Sequence, residues 1–154
     1  MAEPTRRQLI IAALLARVQG IRQVDGFATD CGEATVIGEV GELGPDDPEQ
    51  AISFNVGDEE QIWQAPGKAF MVRLPFSIRA LSKAESEPWK TVEAIVGDIK
   101  RAVEKITDLT LGGLIDAQGL ERGPVVSLDR EPGSRTVGAA VLYRVSFKEG
   151  WGTP

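Results

Sequence analysis

The sequence predicts an α+β fold in which an antiparallel or mixed β-sheet packs helices on one of its faces. Residues 72–80 and 135–147 alternate apolar and polar side chains with the period of a β-strand. Residues 5–21 and 88–106 instead repeat apolar side chains at helical spacing. The resulting order of a helix, several strands, a second helix and a terminal hairpin is typical of this fold class.

The first helix is predicted from its capping residues and its apolar spacing. Thr5 followed by Gln8 forms the pattern of a capping box. Arg17 interrupts the apolar run that starts at Leu9, which is far shorter than the roughly 20 apolar residues that cross a membrane. The residues that recur at helical spacing are Ile10, Leu14, Val18 and Ile21. We therefore expect an amphipathic helix and no contact with a membrane.

The middle of the chain predicts short strands and turns. Residues 35–40 alternate weakly, residues 42–50 form an acidic loop with two prolines, and residues 51–56 form a strand. The clearest strand, residues 72–80, has one apolar face. It contains Pro75, which cannot donate a ladder hydrogen bond, so we expect this strand to lie at a sheet edge or to carry a bulge.

The second helix has the strongest pattern in the chain. Pro88 suits its first turn, and Ser86 or Glu87 can cap it. Its apolar stripe is Val92, Ile95, Val96, Ile99, Val103 and Ile106. The charged residues off this stripe, Lys100 and Arg101 among them, face either solvent or an acidic surface of another subunit.

The terminal hairpin is predicted to consist of a strand at 125–129, a turn at 130–134 and a return strand at 135–147. The return strand places six side chains on one face, because side chains alternate along a strand. These are Val137, Ala139, Val141, Tyr143, Val145 and Phe147. They are expected to face the core.

Composition favours one domain, residues 1–154, and disfavours several functional classes. The chain is 42% apolar and has the length to bury a core without disulfides or a metal. Cys31 is the only cysteine and histidine is absent, so the usual partner base for a nucleophile is missing. The net charge of −6 argues against a broad basic surface for nucleic acid.

Acidic clusters are the candidates for a metal site, and they lack the spacing of an EF-hand. They are Asp46, Asp47 and Glu49, and then Asp58, Glu59 and Glu60. Glu93, Asp98 and Lys100 faintly resemble a nuclease carboxylate–lysine set, but packing of the predicted helix fixes their geometry. We expect no cofactor and no metal, which leaves a metal-dependent hydrolase or nuclease as a weakly supported alternative.

Several segments resemble small neck and tail proteins of long-tailed bacteriophages. They are residues 70–84 and 88–94, residues 97–102, residues 119–123, residues 130–134 and residues 151–154. The best match is the tail terminator, or tail completion, family. The chain is similar to it by local motif over residues 68–154, and by length and element order as a whole.

The resemblance implies a structural virion protein that forms a ring, usually a hexamer, at the head-proximal end of the tail tube. Such a ring ends tube polymerisation and joins the tail to the head connector. The implied partners are further copies of the chain, the tail tube protein and the head–tail connector protein, with DNA passing through the lumen without specific binding. The implied location is the tail or neck of the virion, after assembly in the host cytoplasm.

Two other functions fit the sequence. A head–tail connector or stopper of the same neck would also form a ring, but it would bind on the portal side. A monomeric module with an unknown ligand is the third possibility.

Two loops, residues 57–68 and 129–135, are predicted to contact other proteins. The charged residues of the second loop suit ion pairs across a subunit boundary. Trp63 and Trp151 suit interface anchors, because aromatic residues dominate binding hot spots, although each also suits the cover of its own core. The predicted interface residues are Trp63, Lys68, Arg130, Glu131, Arg135 and Trp151.

Overall fold

The computed structural model describes residues 2–38, 40, 42–65, 67, 69–83, 87–130 and 132–150. This part of the chain contains two helices and six strands. The helices are α1 (Arg6–Gln19) and α2 (Pro88–Val103). The strands are β1 (Thr35–Ile37), β2 (Gln50–Val56), β3 (Glu60–Ala65), β4 (Ala69–Lys83), β5 (Leu120–Ser127) and β6 (Thr136–Gly150).

The strands form one mixed sheet in the order β1-β2-β4-β6-β5. β1 and β2 are parallel, and all other pairs are antiparallel. β3 and β2 lie on the same side of β4. β3 pairs with the first part of β4, and β2 pairs with the second part. The predicted α+β fold with a mixed sheet is therefore confirmed.

The core lies between the sheet and the two helices. The alternate side chains of β4 and β6 that the sequence assigned to the core are buried there, except Val137, which is partly buried. The buried residues of α1 and α2 belong to the same cluster, so both helices cover one face of the sheet. At its centre Phe76 stacks between Phe54 and Tyr143, with ring centroids 5.6 Å and 5.2 Å apart.

The capping box of α1 forms as predicted. Gln8 N donates to Thr5 Oγ1 at 3.1 Å, and Thr5 N donates to Gln8 Oε1 at 2.8 Å. In the described part of the chain, neither helix combines the length and the apolar character that a membrane crossing needs.

The predicted extent of α2 is wrong at its C-terminus. The helix ends at Val103, and Ile106 lies beyond it with 84% of its surface exposed. The reason is a long-range contact from α1. Arg17 donates to the Val103 carbonyl at 2.9 Å and to the Asp108 carbonyl at 2.5 Å. Arg17 therefore satisfies a terminal carbonyl that a further helical turn would otherwise use. At the other end, Glu87 makes no side-chain cap, and Ser86 lies outside the described residues.

Replacing Arg17 by alanine is expected to lower the free energy of unfolding by about 2 kcal/mol, because it leaves part-buried carbonyls unpaired. Arg17→Lys keeps one charged donor and should restore part of the loss. Arg22→Ala, a change of the same type at an exposed arginine, should have little effect. Urea denaturation of the three variants checks this, and equal stability of Arg17→Ala and wild type would contradict it.

The structure also corrects the position of Pro75. β4 is a central strand and not an edge strand, since it pairs with β6 along its whole length. On its other side, Pro75 lies where the partner changes from β3 to β2. The Pro75 carbonyl accepts from Gly57 N at 2.8 Å, and a missing donor costs little at this interruption of the ladder.

Three further element boundaries differ from the prediction. The contact loop assigned to residues 57–68 contains β3, whose side chains from Glu60 to Gln64 are exposed on both faces and so give no alternation. The weak strand at residues 35–40 shortens to β1. β5 starts at Leu120, five residues early, because a register shift between Arg122 and Val125 carries the strand past Gly123 and Pro124.

Candidate interaction surface

The sheet face opposite the helices, which we call the outer face, carries the candidate site. Its side chains come from the positions of β4 and β6 that alternate with the core residues. On β4 these include Arg73, Pro75, Ser77, Arg79 and Leu81; on β6 they include Ala140, Leu142, Arg144 and Ser146. Polar and apolar residues are mixed, so part of this face needs a cover.

The loop between β1 and β2 covers one half of the outer face. Leu43 packs with Ala51 and Leu81 in a small second cluster of buried residues. Leu43 N also donates to Thr136 Oγ1 at 2.8 Å, which ties the loop to the start of β6. The predicted acidic loop is therefore a structural cover for this half of the sheet.

Lys83, at the end of β4, holds the loop in place. Lys83 Nζ donates to the carbonyls of Pro45 at 3.3 Å and Asp47 at 2.5 Å, and it lies 3.8 Å from Glu49 Oε1. Asp47 Oδ2 accepts from Gly44 N at 2.6 Å. The Asp47 carboxylate thus stabilises the turn, and the Glu49 carboxylate forms the ion pair with Lys83. Among the residues that the structure describes, no group of three or more acidic or cysteine side chains is arranged to hold a metal ion.

The other half of the outer face is uncovered and contains a groove of about 470 Å³. Two breaks in the ladder create it. On one side β2 ends at Val56, and Gly57 approaches Pro75 so closely that a Cβ would lie 3.0 Å from Pro75 Cγ. On the other side β5 shifts register at Gly123 and Pro124. Leu142 lies between the two breaks and lines the groove.

One arginine lines this groove, and a second lies further along the same face. Arg144 lines it and pairs with Glu121 at 3.5 Å, each side chain being about half exposed. Arg73 lies opposite Glu60 in register, and its Nε is buried with no hydrogen-bond partner among the described residues. The uncovered half therefore combines an apolar floor with arginines, on a chain whose net charge is −6.

Trp63 lies on the same uncovered half. It pairs with Met71 in the β3–β4 ladder, which places it on the outer face two positions along from Arg73. Its side chain is 45% exposed. An exposed aromatic residue on a sheet face that also carries a groove is the kind of anchor that protein interfaces use.

The structure places the other predicted interface residues apart from Trp63. Arg130 Nε donates to the Ser134 carbonyl at 2.7 Å and so closes the β5–β6 turn, where Arg135 is exposed. This turn lies beside Lys83, at the opposite end of β4 from Met71 and Trp63. Lys68, Glu131 and Trp151 lie outside the described residues.

The sequence interpretation missed Arg73, Leu142 and Arg144 as parts of one surface. All three occupy outward positions of strands that were predicted correctly, so the alternation did contain the signal. It gave no means of knowing that the loop covers only half of the face, or that two ladder breaks leave a groove.

Cys31 is buried, and its Sγ lies 3.4 Å from Gln50 Oε1. Burial is the main cause that raises the pKa of this thiol, with a smaller contribution from the Asp98 and Asp30 carboxylates. A hydrogen bond with Thr29 acts in the opposite direction. The environment thus favours the thiol over the thiolate, which is the form that attacks electrophiles.

The sequence matches no protein-family model, and no curated protein is significantly similar to it.

Proposed function

We propose that this protein is a ring-forming structural subunit of the tail terminator type, which ends a phage tail tube at its head-proximal side and joins it to the head connector. The observation that carries the proposal is the uncovered half of the outer face, where Trp63 is exposed on the same face as an apolar groove. Together with the motif resemblance over residues 68–154, this surface suits a protein whose work is contact with other proteins.

The distribution of charge supports the same role. Arg144 lines the groove and Arg73 lies on the same face, so a partner with an acidic surface would suit this face. The chain carries a net charge of −6, and a net negative charge disfavours adhesion of phosphate to a channel that DNA traverses. Further copies of the chain, the tail tube protein and the connector protein are the proposed partners, and the virion tail or neck is the proposed location.

The proposal predicts that the protein caps purified tail tubes and that Trp63→Ala weakens the capping by roughly tenfold or more, as loss of an interface anchor does. Trp89→Ala is the matched control, because Trp89 is also exposed but lies at the start of α2 and not on the outer face. Electron microscopy of tubes mixed with each variant, together with native mass spectrometry, gives both readouts.

Six-fold rings at tube ends, lost with Trp63→Ala and kept with Trp89→Ala, support the proposal. Rings that do not bind tubes but do bind portal complexes would contradict the proposal and support the connector or stopper function instead. A chain that stays monomeric and binds neither would overturn both.

A further inference from the structure

The two outermost strands of the main sheet path, β1 and β5, each have an edge that pairs with no other strand among the described residues, and these two open edges match each other residue by residue. Three rows of paired residues cross the sheet from β1 through β2, β4 and β6 to β5 without a break in register. The rows end at Thr35 and Ser127, at Val36 and Val126, and at Ile37 and Val125.

The side chains at the row ends also match. Val36 and Val126 belong to the row through Arg79 and so lie on the outer face, whereas Ile37 and Val125 lie on the helix face. All four are exposed: Val36 by 47%, Ile37 by 67%, and Val125 and Val126 by 39% each. Each edge therefore presents one apolar side chain on each face, at the same level of the sheet.

The backbone polar groups of the two edges are complementary as well. Gly38 N donates to the Phe54 carbonyl and Leu128 N donates to the Gly138 carbonyl, so these residues face inward. Backbone groups point to alternate sides along a strand. The N–H and C=O groups of Thr35 and Ile37 on β1, and of Val125 and Ser127 on β5, therefore face the open edges.

Strand direction completes the match. β1 is parallel to β2, and the three remaining pairings on the path are antiparallel, so β5 runs opposite to β1. Two copies placed side by side in the same orientation bring β5 of one antiparallel to β1 of the next. Ile37 with Val125, and Thr35 with Ser127, then form hydrogen-bonded pairs, and Val36 with Val126 forms the closer non-hydrogen-bonded pair between them.

We propose that copies of this chain associate head to tail by pairing β5 of one with β1 of the next, in the register Val36–Val126. The occupant of each open edge is thus a second copy of the chain. Every copy uses both edges once, and a ring is the closed form of such an assembly, because closure leaves neither the β1 edge nor the β5 edge unpaired.

This inference deepens the proposed function and rests on it for the expectation that copies associate. Disulfide cross-linking tests the register. A non-hydrogen-bonded pair has Cα atoms about 4.5 Å apart, which is within the range that a disulfide spans. In a Cys31→Ala background, which removes the native thiol, the Val36→Cys/Val126→Cys double variant should give a ladder of disulfide-linked oligomers under mild oxidation.

Three controls accompany the double variant. Val36→Cys/Val125→Cys places the second thiol on the other face and should not cross-link. Each single variant alone should stay uncrosslinked, and a mixture of the two single variants should give dimers only. Ser127→Pro removes a donor that faces only the edge, and it should weaken self-association by roughly tenfold without unfolding the chain.

Each outcome of the cross-linking decides the inference. A series of disulfide-linked oligomers from the double variant, with the controls behaving as stated above, supports head-to-tail pairing. Dimers from Val126→Cys alone would show two-fold pairing of β5 with itself and overturn it. Oligomers that assemble yet never cross-link would overturn the edge pairing and leave the proposed function standing. A chain that is monomeric at every concentration and caps no tubes would overturn both.

Discussion

Asp98→Ala is expected to lower the free energy of unfolding by about 3 to 5 kcal/mol. Asp98 lies on α2 with only 1% of its surface exposed. Its carboxylate accepts from Ala28 N at 3.0 Å, and from Thr29 N and Thr29 Oγ1 at 2.8 Å each. Removing the acceptor leaves three donors without partners in a buried or part-buried site, and each unpaired donor costs about 1 to 3 kcal/mol. The segment after α1 then loses these three hydrogen bonds to α2.

Two variants separate the hydrogen bonds from other effects of the change. Asp98→Asn keeps the size of the side chain but retains only one acceptor oxygen, so it should lose roughly half as much stability. Glu93→Ala removes an exposed carboxylate from the same helix and should stay within about 0.5 kcal/mol of wild type. Urea denaturation with far-UV circular dichroism gives all three values. Similar stabilities for Asp98→Ala and Glu93→Ala would show that these hydrogen bonds do not hold the segment.

Phe76→Ala is expected to lower the free energy of unfolding by about 3 to 5 kcal/mol, because it opens a cavity where β2, β4 and β6 meet the helices. The Phe76 ring is 3% exposed and stacks against Phe54 on one side and Tyr143 on the other. The variant also loses two stacked aromatic contacts, and this loss adds to the effect of the lost buried area. Trp89→Ala, which removes a larger but exposed ring, should cost far less.

Tyr143→Phe separates the ring stack from its hydroxyl. Tyr143 Oη donates to Glu104 Oε2 at 3.1 Å, so this variant should lose only about 1 kcal/mol at neutral pH. Burial, and then the Glu104 charge, raise the pKa of Tyr143 above its ordinary value. The unfolded chain therefore loses this proton first, and stability should fall as the pH rises past about 10. In Tyr143→Phe, stability should therefore fall less as the pH rises past about 10. An unchanged dependence of stability on pH would contradict its assignment to the Tyr143 hydroxyl.

The sequence predicted best those elements whose pattern reflects burial on one side. β4 and β6 alternate because the core lies on one face, and the apolar stripe of α2 from Val92 to Val103 faces that same core. For such elements the local period carries the same information as the tertiary structure.

Prediction failed where distant parts of the chain decide the local structure. Ile106 continues the helical spacing of α2, but Arg17 terminates the helix from another element. Pro75 suggested a sheet edge, because the change of partner from β3 to β2 depends on two other strands. β3 is exposed on both faces from Glu60 to Gln64, so this part of its sequence has no alternation to detect.

The candidate surface was predicted only through Trp63. An exposed aromatic residue in polar surroundings can be recognised in a sequence, whereas its neighbours on the surface cannot. Arg73 and Arg144 join Trp63 through strand pairing, and Arg130 and Arg135 are kept away from it by the length of β4. The register of the sheet therefore determines which predicted residues share a surface.

The pairing of β4 with β6 has a consequence for how the protein folds. Ala69 pairs with Gly150 and Lys83 pairs with Thr136, so α2, β5 and every turn between them separate the two central strands in sequence. Contacts between such distant residues carry a high loop-closure entropy and slow the search for the native state. On the ribosome, β4 emerges well before its central partner exists, and its edge remains available to other chains during that interval. We therefore expect the yield of folded protein to depend on the rate of synthesis more than on the final stability.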